Sequence, residues 1–156
     1  MKLSVLWVGK TRDRRIEALT AEYVGRIERY CRTEIRQIRE EPREAAMTAA
    51  ERTAREGRKI LEALRPGEYA VALDEKGRAM SSTEFSGFLE RALEGHPSGV
   101  VLMVGGPFGL SEEVKESAAE RVSLSRMTLT HETARLIALE QVYRAFTILR
   151  GGKYHH

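Results

Sequence analysis

The run GVVLMVGG at residues 99–106 constrains the fold more than any other stretch. Five aliphatic residues in a row, Val100 to Val104, offer no polar position that could face water. A strand of this kind is covered on both faces, which calls for a sheet between two layers of helices. The run stops at Gly105 and Gly106, and Ser111 with Glu112 and Glu113 then reads as an N-cap followed by an acidic first helical turn.

The flanking sequence repeats the same alternation. KLSVLWVG (2–9) and EYAVALD (68–74) predict two more strands, with EKGR turning the chain after the second. TEIRQIRE (33–40) predicts a strand at a sheet edge, where its charges discourage further pairing. RVSLS (121–125) predicts a short strand. Between them, Ile16, Leu19, Tyr23, Ile27 and Tyr30 lie three or four apart on one face of a helix over 13–30. Residues 44–64 are rich in Ala, Glu and Arg, and Pro66-Gly67 closes that helix. Ser81 and Glu84 have capping-box spacing, and Gly95 is the expected C-cap of the helix they open. Thr130 to Arg150 carries an apolar stripe of Leu136, Leu139, Val142, Tyr143, Phe146 and Leu149, ended by Gly151 and Gly152. Strand-helix alternation over 156 residues predicts one α/β domain, a parallel sheet with helices on both faces.

Several function classes are disfavoured. No apolar stretch approaches the roughly 18–20 residues that span a bilayer, and MKLSVLWVGK lacks a small-residue cleavage site, so no signal peptide is expected. The single cysteine, Cys31, cannot form an internal disulfide and fits a reducing cytoplasm. His131, His155 and His156 lack metal-ligand spacing, so no metal is expected. Charge is uneven: residues 1–65 hold 16 Lys/Arg against 11 Asp/Glu, and residues 66–156 hold 10 against 12. The basic first half suits a polyanionic partner such as RNA, or a solvated helical surface.

Ligands of parallel sheets bind outside the carboxyl ends of the strands. Three loops leave strands there: LDEKG after Leu73, GGPFG after Val104, and SRMTL after Leu124. GGPFG is either a plain strand-to-helix turn or a ligand loop in which glycine admits close approach to the main chain. It matches neither the P-loop nor the dinucleotide fingerprint. Pro107 removes an N–H from a would-be anion nest, and the loop has no Lys or Arg of its own. A pyrophosphate is therefore disfavoured, and an adenosine group between apolar walls suits the loop better. Met127 and Leu129 could wall an adenine, or the stretch could be an ordinary connection to a helix capped by Thr130.

LDEKG, VGGPFGLS, SLSRMTLTHETAR, LEQVYRAFTILRG and the terminal YH, taken in order, resemble the blocks of bacterial 23S rRNA pseudouridine N3-methyltransferases of the RlmH type, in the SPOUT class. The resemblance spans essentially the whole chain, and the C-terminal third is its most specific part. It implies a C-terminal trefoil knot, a homodimer with the cofactor site near the subunit interface, S-adenosylmethionine as cofactor, and a pseudouridine of 23S rRNA within the assembled ribosome as substrate. Carried over by position, it places cofactor contacts at Leu73, Gly105, Leu124, Ser125, Arg126, Met127, Thr128 and Leu129. A sulfonium is positive, which agrees with a loop lacking Lys and Arg. The imide N3 must lose a proton, so His155 is the candidate general base, with contact to RNA as its other role. Arg144 is the candidate to hold an anionic uracil oxygen or a phosphate. His131 is expected to cap or pack near its helix start, and Tyr143 and Phe146 to lie in the core or a dimer interface. The tail departs from the family's usual Tyr-His followed by Lys or Arg, because His156 stands last. Competing expectations are a non-catalytic RNA-binding assembly factor and a SPOUT enzyme acting on tRNA.

Overall fold

A computed structural model of the chain describes residues 1–42 and 46–151. Ten elements alternate: β1 (Lys2–Val8), α1 (Arg14–Ile27), β2 (Arg32–Ile38), α2 (Ala49–Glu62), β3 (Tyr69–Ala79), α3 (Ser82–Gly95), β4 (Val100–Val104), α4 (Glu112–Ser117), β5 (Glu120–Ser123) and α5 (His131–Leu149). The five strands form one sheet in the order β2-β1-β4-β3-β5, and every pairing is parallel. TEIRQIRE does form an edge strand, and GVVLMVGG supplies the central one.

Strand alternation divides the interior into two layers. Leu3, Val5 and Trp7 of β1 point with Val100, Leu102 and Val104 of β4 into a core shared with Ile27 of α1, Phe85 and Leu89 of α3, and Leu139 and Val142 of α5. Leu6, Val8, Val101 and Met103 point the other way, onto Ile60 of α2 and Val114 of α4. All five residues of β4 are buried, as a strand covered on both faces must be. Phe146 is buried and stacks on Tyr30 at 5.6 Å, and Tyr143 packs against the same core.

Helix starts follow the sequence closely. Ser81 and Glu84 form a reciprocal capping box, Ser111 accepts the Val114 N–H, and Thr130 accepts the Thr133 N–H. Two expectations fail. Gly95 is the last helical residue of α3, and the cap position is His96, whose Nδ1–H donates to the Ala92 carbonyl at 2.9 Å while its ring stacks on Tyr69 at 4.1 Å. The histidine side chain satisfies the carbonyl that a glycine turn would otherwise meet.

EKGR does not turn the chain. β3 continues through it to Ala79, and both Leu73 and Arg78 align with Val122 of β5. Residues 74–77 are thus extra residues looped out of the ladder between two paired stretches. Gly77 permits this because a Cβ there would fall 2.7 Å from the Arg121 carbonyl carbon. The bulge carries Asp74 and Glu75 out at the carboxyl rim of the sheet.

Candidate active site

The three strand-end loops meet. Leu73, Gly105, Leu124, Ser125, Met127, Thr128 and Leu129 line one cavity of about 350 Å³, within the range of small-molecule sites. Arg126 does not line it; its side chain is exposed beside it. The cavity also takes in the start of α5 through His131 and Ala134.

Its floor is the glycine loop, in which Gly105 and Gly106 keep backbone angles open to other residues. Neither has a positive φ; Gly109 does, at 77°. The Gly109 N–H donates to the Gly106 carbonyl at 3.0 Å, closing a tight turn with Pro107 and Phe108 at its tip. Pro107 is the second residue of that turn, where its fixed φ presets the bend. Gly105 is required for a steric reason, since a Cβ there would lie 2.4 Å from the Gly109 carbonyl carbon and 2.6 Å from the Leu110 nitrogen. The loop folds back on itself and leaves its outer side to the cavity. Phe108 and Met127 flank the opening, 61% and 78% exposed.

The walls are not uncharged. Asp74 and Glu75 from the β3 bulge line the cavity, and so does Lys115 of α4. The Lys115 ammonium lies 3.1 Å from Glu112 and 3.8 Å from Asp74. The Thr128 hydroxyl donates to Glu75 at 2.9 Å, tying the bulge to the segment before α5. These acids stand in the LDEKG block, but periodicity gave no reason to face them inward. His131 does more than pack at a helix start. It lines the cavity, and burial, aided by the Arg135 charge, holds its imidazole below the usual histidine range.

Arg135 supports this arrangement from beneath. It is fully buried, donates to the Val8 carbonyl and to the Thr11 hydroxyl (3.1 Å), and places its guanidinium over the Trp7 ring at 5.0 Å. Burial lowers its pKa to about 10, so it stays charged at neutral pH. Glu132 accepts the backbone N–H groups of Arg12 and Asp13, at 2.5 and 3.1 Å. Together Glu132 and Arg135 fasten the β1–α1 loop to the first turn of α5.

Arg144 is not at the cavity. It lies ten residues beyond Ala134 on α5, about 15 Å along the axis at roughly 1.5 Å per residue. Glu140 receives it there, at 3.0 and 2.6 Å. His155 and His156 lie outside the described residues. Among the described residues there is no cluster of three or more potential metal ligands, and no helix is long and apolar enough to cross a membrane.

A family model described as "Predicted SPOUT methyltransferase" matches residues 1–155. The chain is 41% identical over 156 residues to a protein of Parabacteroides distasonis, covering all of this chain and 99% of that one. It is 42% identical to a protein of Porphyromonas gingivalis over the same shares, and 41% identical to one of Trichlorobacter lovleyi, with both chains covered in full. All three relatives bear the name ribosomal RNA large subunit methyltransferase H.

Proposed function

Because the chain belongs to the SPOUT methyltransferase family, we propose that it uses S-adenosylmethionine to methylate N3 of a pseudouridine in 23S rRNA of the assembled ribosome. The observation that carries this reading is the convergence of three strand-end loops, far apart in sequence, on one cavity of about 350 Å³. The names of the full-length relatives support the rRNA substrate.

The residues present fit the cofactor. The cavity matches a small adenosine-containing molecule in size, Leu73, Leu124 and Leu129 give it apolar walls, and Asp74 and Glu75 suit a cation. When bound, S-adenosylmethionine supplies the methyl group: the N3–carbon bond forms as the carbon–sulfur bond breaks, the sulfur keeps the electron pair, and the N3 proton passes to a base. The chain's own contribution is to orient, to exclude water and to accept that proton. His155 takes the proton as a neutral imidazole, and Arg144 holds the developing oxyanion or a neighbouring phosphate. Arg144 stands about 15 Å along α5 from its own cavity wall, so it reaches a reacting base only if a second copy presents its α5 end. A homodimer, a trefoil knot at the C-terminal segment and a cytoplasmic location belong to the same proposal.

The test is incubation with radiolabelled S-adenosylmethionine and either intact ribosomes, free 23S rRNA or tRNA, followed by mapping of the label. Label on N3 of one pseudouridine, only in ribosomes, is expected. Label on tRNA, or none on any RNA despite bound cofactor, would overturn the proposal.

A further inference from the structure

We infer that Asp74 makes this cavity select a cationic methyl donor over the neutral thioether that remains after transfer. The inference rests on the methyl-donor reading above.

The Asp74 side chain is only 9% exposed. A carboxylate so buried requires a counter-charge and close hydrogen bonds. Its surroundings supply little of either. The Lys115 ammonium stands 3.8 Å away, beyond hydrogen-bond range, and lies closer to Glu112 at 3.1 Å. The Lys76 backbone N–H reaches Asp74 at 3.5 Å, the limit of such contacts. One lysine is thus shared between two carboxylates. Glu75 adds a further acid at the cavity, bonded to the uncharged Thr128 hydroxyl. Among the described residues that line the cavity, Lys115 is the sole Lys or Arg, against Asp74 and Glu75. The wall carries excess negative charge, and the bulge sets its more buried source directly after Leu73, where three loops converge.

S-adenosylmethionine and S-adenosylhomocysteine share their adenosine and amino-acid parts. They differ by one methyl group and one positive charge, so the ratio of their affinities reads the field at the sulfur. Calorimetric titration of both ligands into the full chain tests the inference. In Asp74→Asn, S-adenosylmethionine weakens roughly tenfold, about 1.4 kcal/mol, while S-adenosylhomocysteine changes by less than about threefold. Lys115→Met removes the competing cation and moves the ratio the opposite way, towards the donor. Loss of folding in one variant leaves the other to decide. Equal losses for both ligands, or a ratio unmoved by either substitution, overturns the inference and leaves the methyl-donor reading standing. Wild-type protein that binds neither ligand removes that reading and the inference with it.

Discussion

Gly105→Ala exposes how tightly the cavity floor is built. The added Cβ would stand 2.4 Å from the Gly109 carbonyl carbon and 2.6 Å from the Leu110 nitrogen. Carbon atoms in contact sit about 3.5–4.0 Å apart, so one side of the loop must retreat by about 1 Å. Both obstructing atoms are backbone, and no rotamer change can relieve them. Overpacking in a tight interior costs about 1–3 kcal/mol, and this site belongs at the upper end. For a chain of this size, about 3 kcal/mol corresponds to a fall of roughly 6–12 °C in Tm. The displaced segment is also the cavity floor, so affinity for S-adenosylmethionine falls by about tenfold or more. Gly106→Ala is the matched control, because its Cβ meets no backbone atom, only side-chain atoms of Glu56 at 3.4 Å and Val8 at 4.0 Å, and it costs less than about 1 kcal/mol. Scanning calorimetry and ligand titration of both variants check the difference. A Gly105→Ala protein that melts with the wild type and binds the donor equally well would refute the steric reasoning.

Three other outcomes are expected. Arg135→Ala removes a fully buried side chain and its bonds to the Val8 carbonyl and Thr11, at a cost of about 3–5 kcal/mol by chemical denaturation; a loss under about 1 kcal/mol would contradict its bracing role. His131 has a depressed pKa in the folded state, so the unfolded chain binds more protons in acid. Its effect is absent well above the unfolded value and becomes destabilising as pH falls below about 6.5. His131→Gln should flatten that part of the stability–pH curve, and an unchanged slope would argue against the burial of the ring. Arg12, Arg14 and Arg15 stand at the carboxyl rim, with Arg12 and Arg15 strongly exposed although they reach Glu40 and Asp13. Changing all three to Gln should weaken ribosome binding and reduce the magnitude of its log–log salt slope, by about 0.7–0.9 for each phosphate left without its arginine. An unaltered slope would move the RNA-binding surface elsewhere.

Much of the fold was legible because it rests on local rules. β4 announced its double burial through an unbroken aliphatic run, and Ser81, Ser111 and Thr130 marked helix starts through caps that involve neighbours three residues away. What escaped depends on partners remote in sequence. The β3 bulge exists because Gly77 lies against the Arg121 backbone, more than forty residues on, and no local pattern in EKGR separates it from a turn. His96 outranks Gly95 as the cap of α3 because its ring also finds Tyr69. Arg135 sits at an unremarkable place in THETAR, and its burial follows from Trp7 and Val8 at the other end of the chain. In the site, strand-end position sufficed to group the three loops, and the resemblance singled out Leu73, Gly105 and the residues from Leu124 onward within them. The inward acids did not emerge, because the bulge sets their direction and was itself illegible. Arg126 illustrates the reverse: adjacency in sequence to Ser125 and Met127 does not aim its side chain at the cavity.

The most direct measurement is a crystal structure grown with saturating S-adenosylmethionine. Donor density packed against Leu73, Gly105 and Leu129, with the sulfur on the side of Asp74, is the expected result. A donor bound elsewhere, or a cavity that holds only solvent, would contradict the assignment of this site.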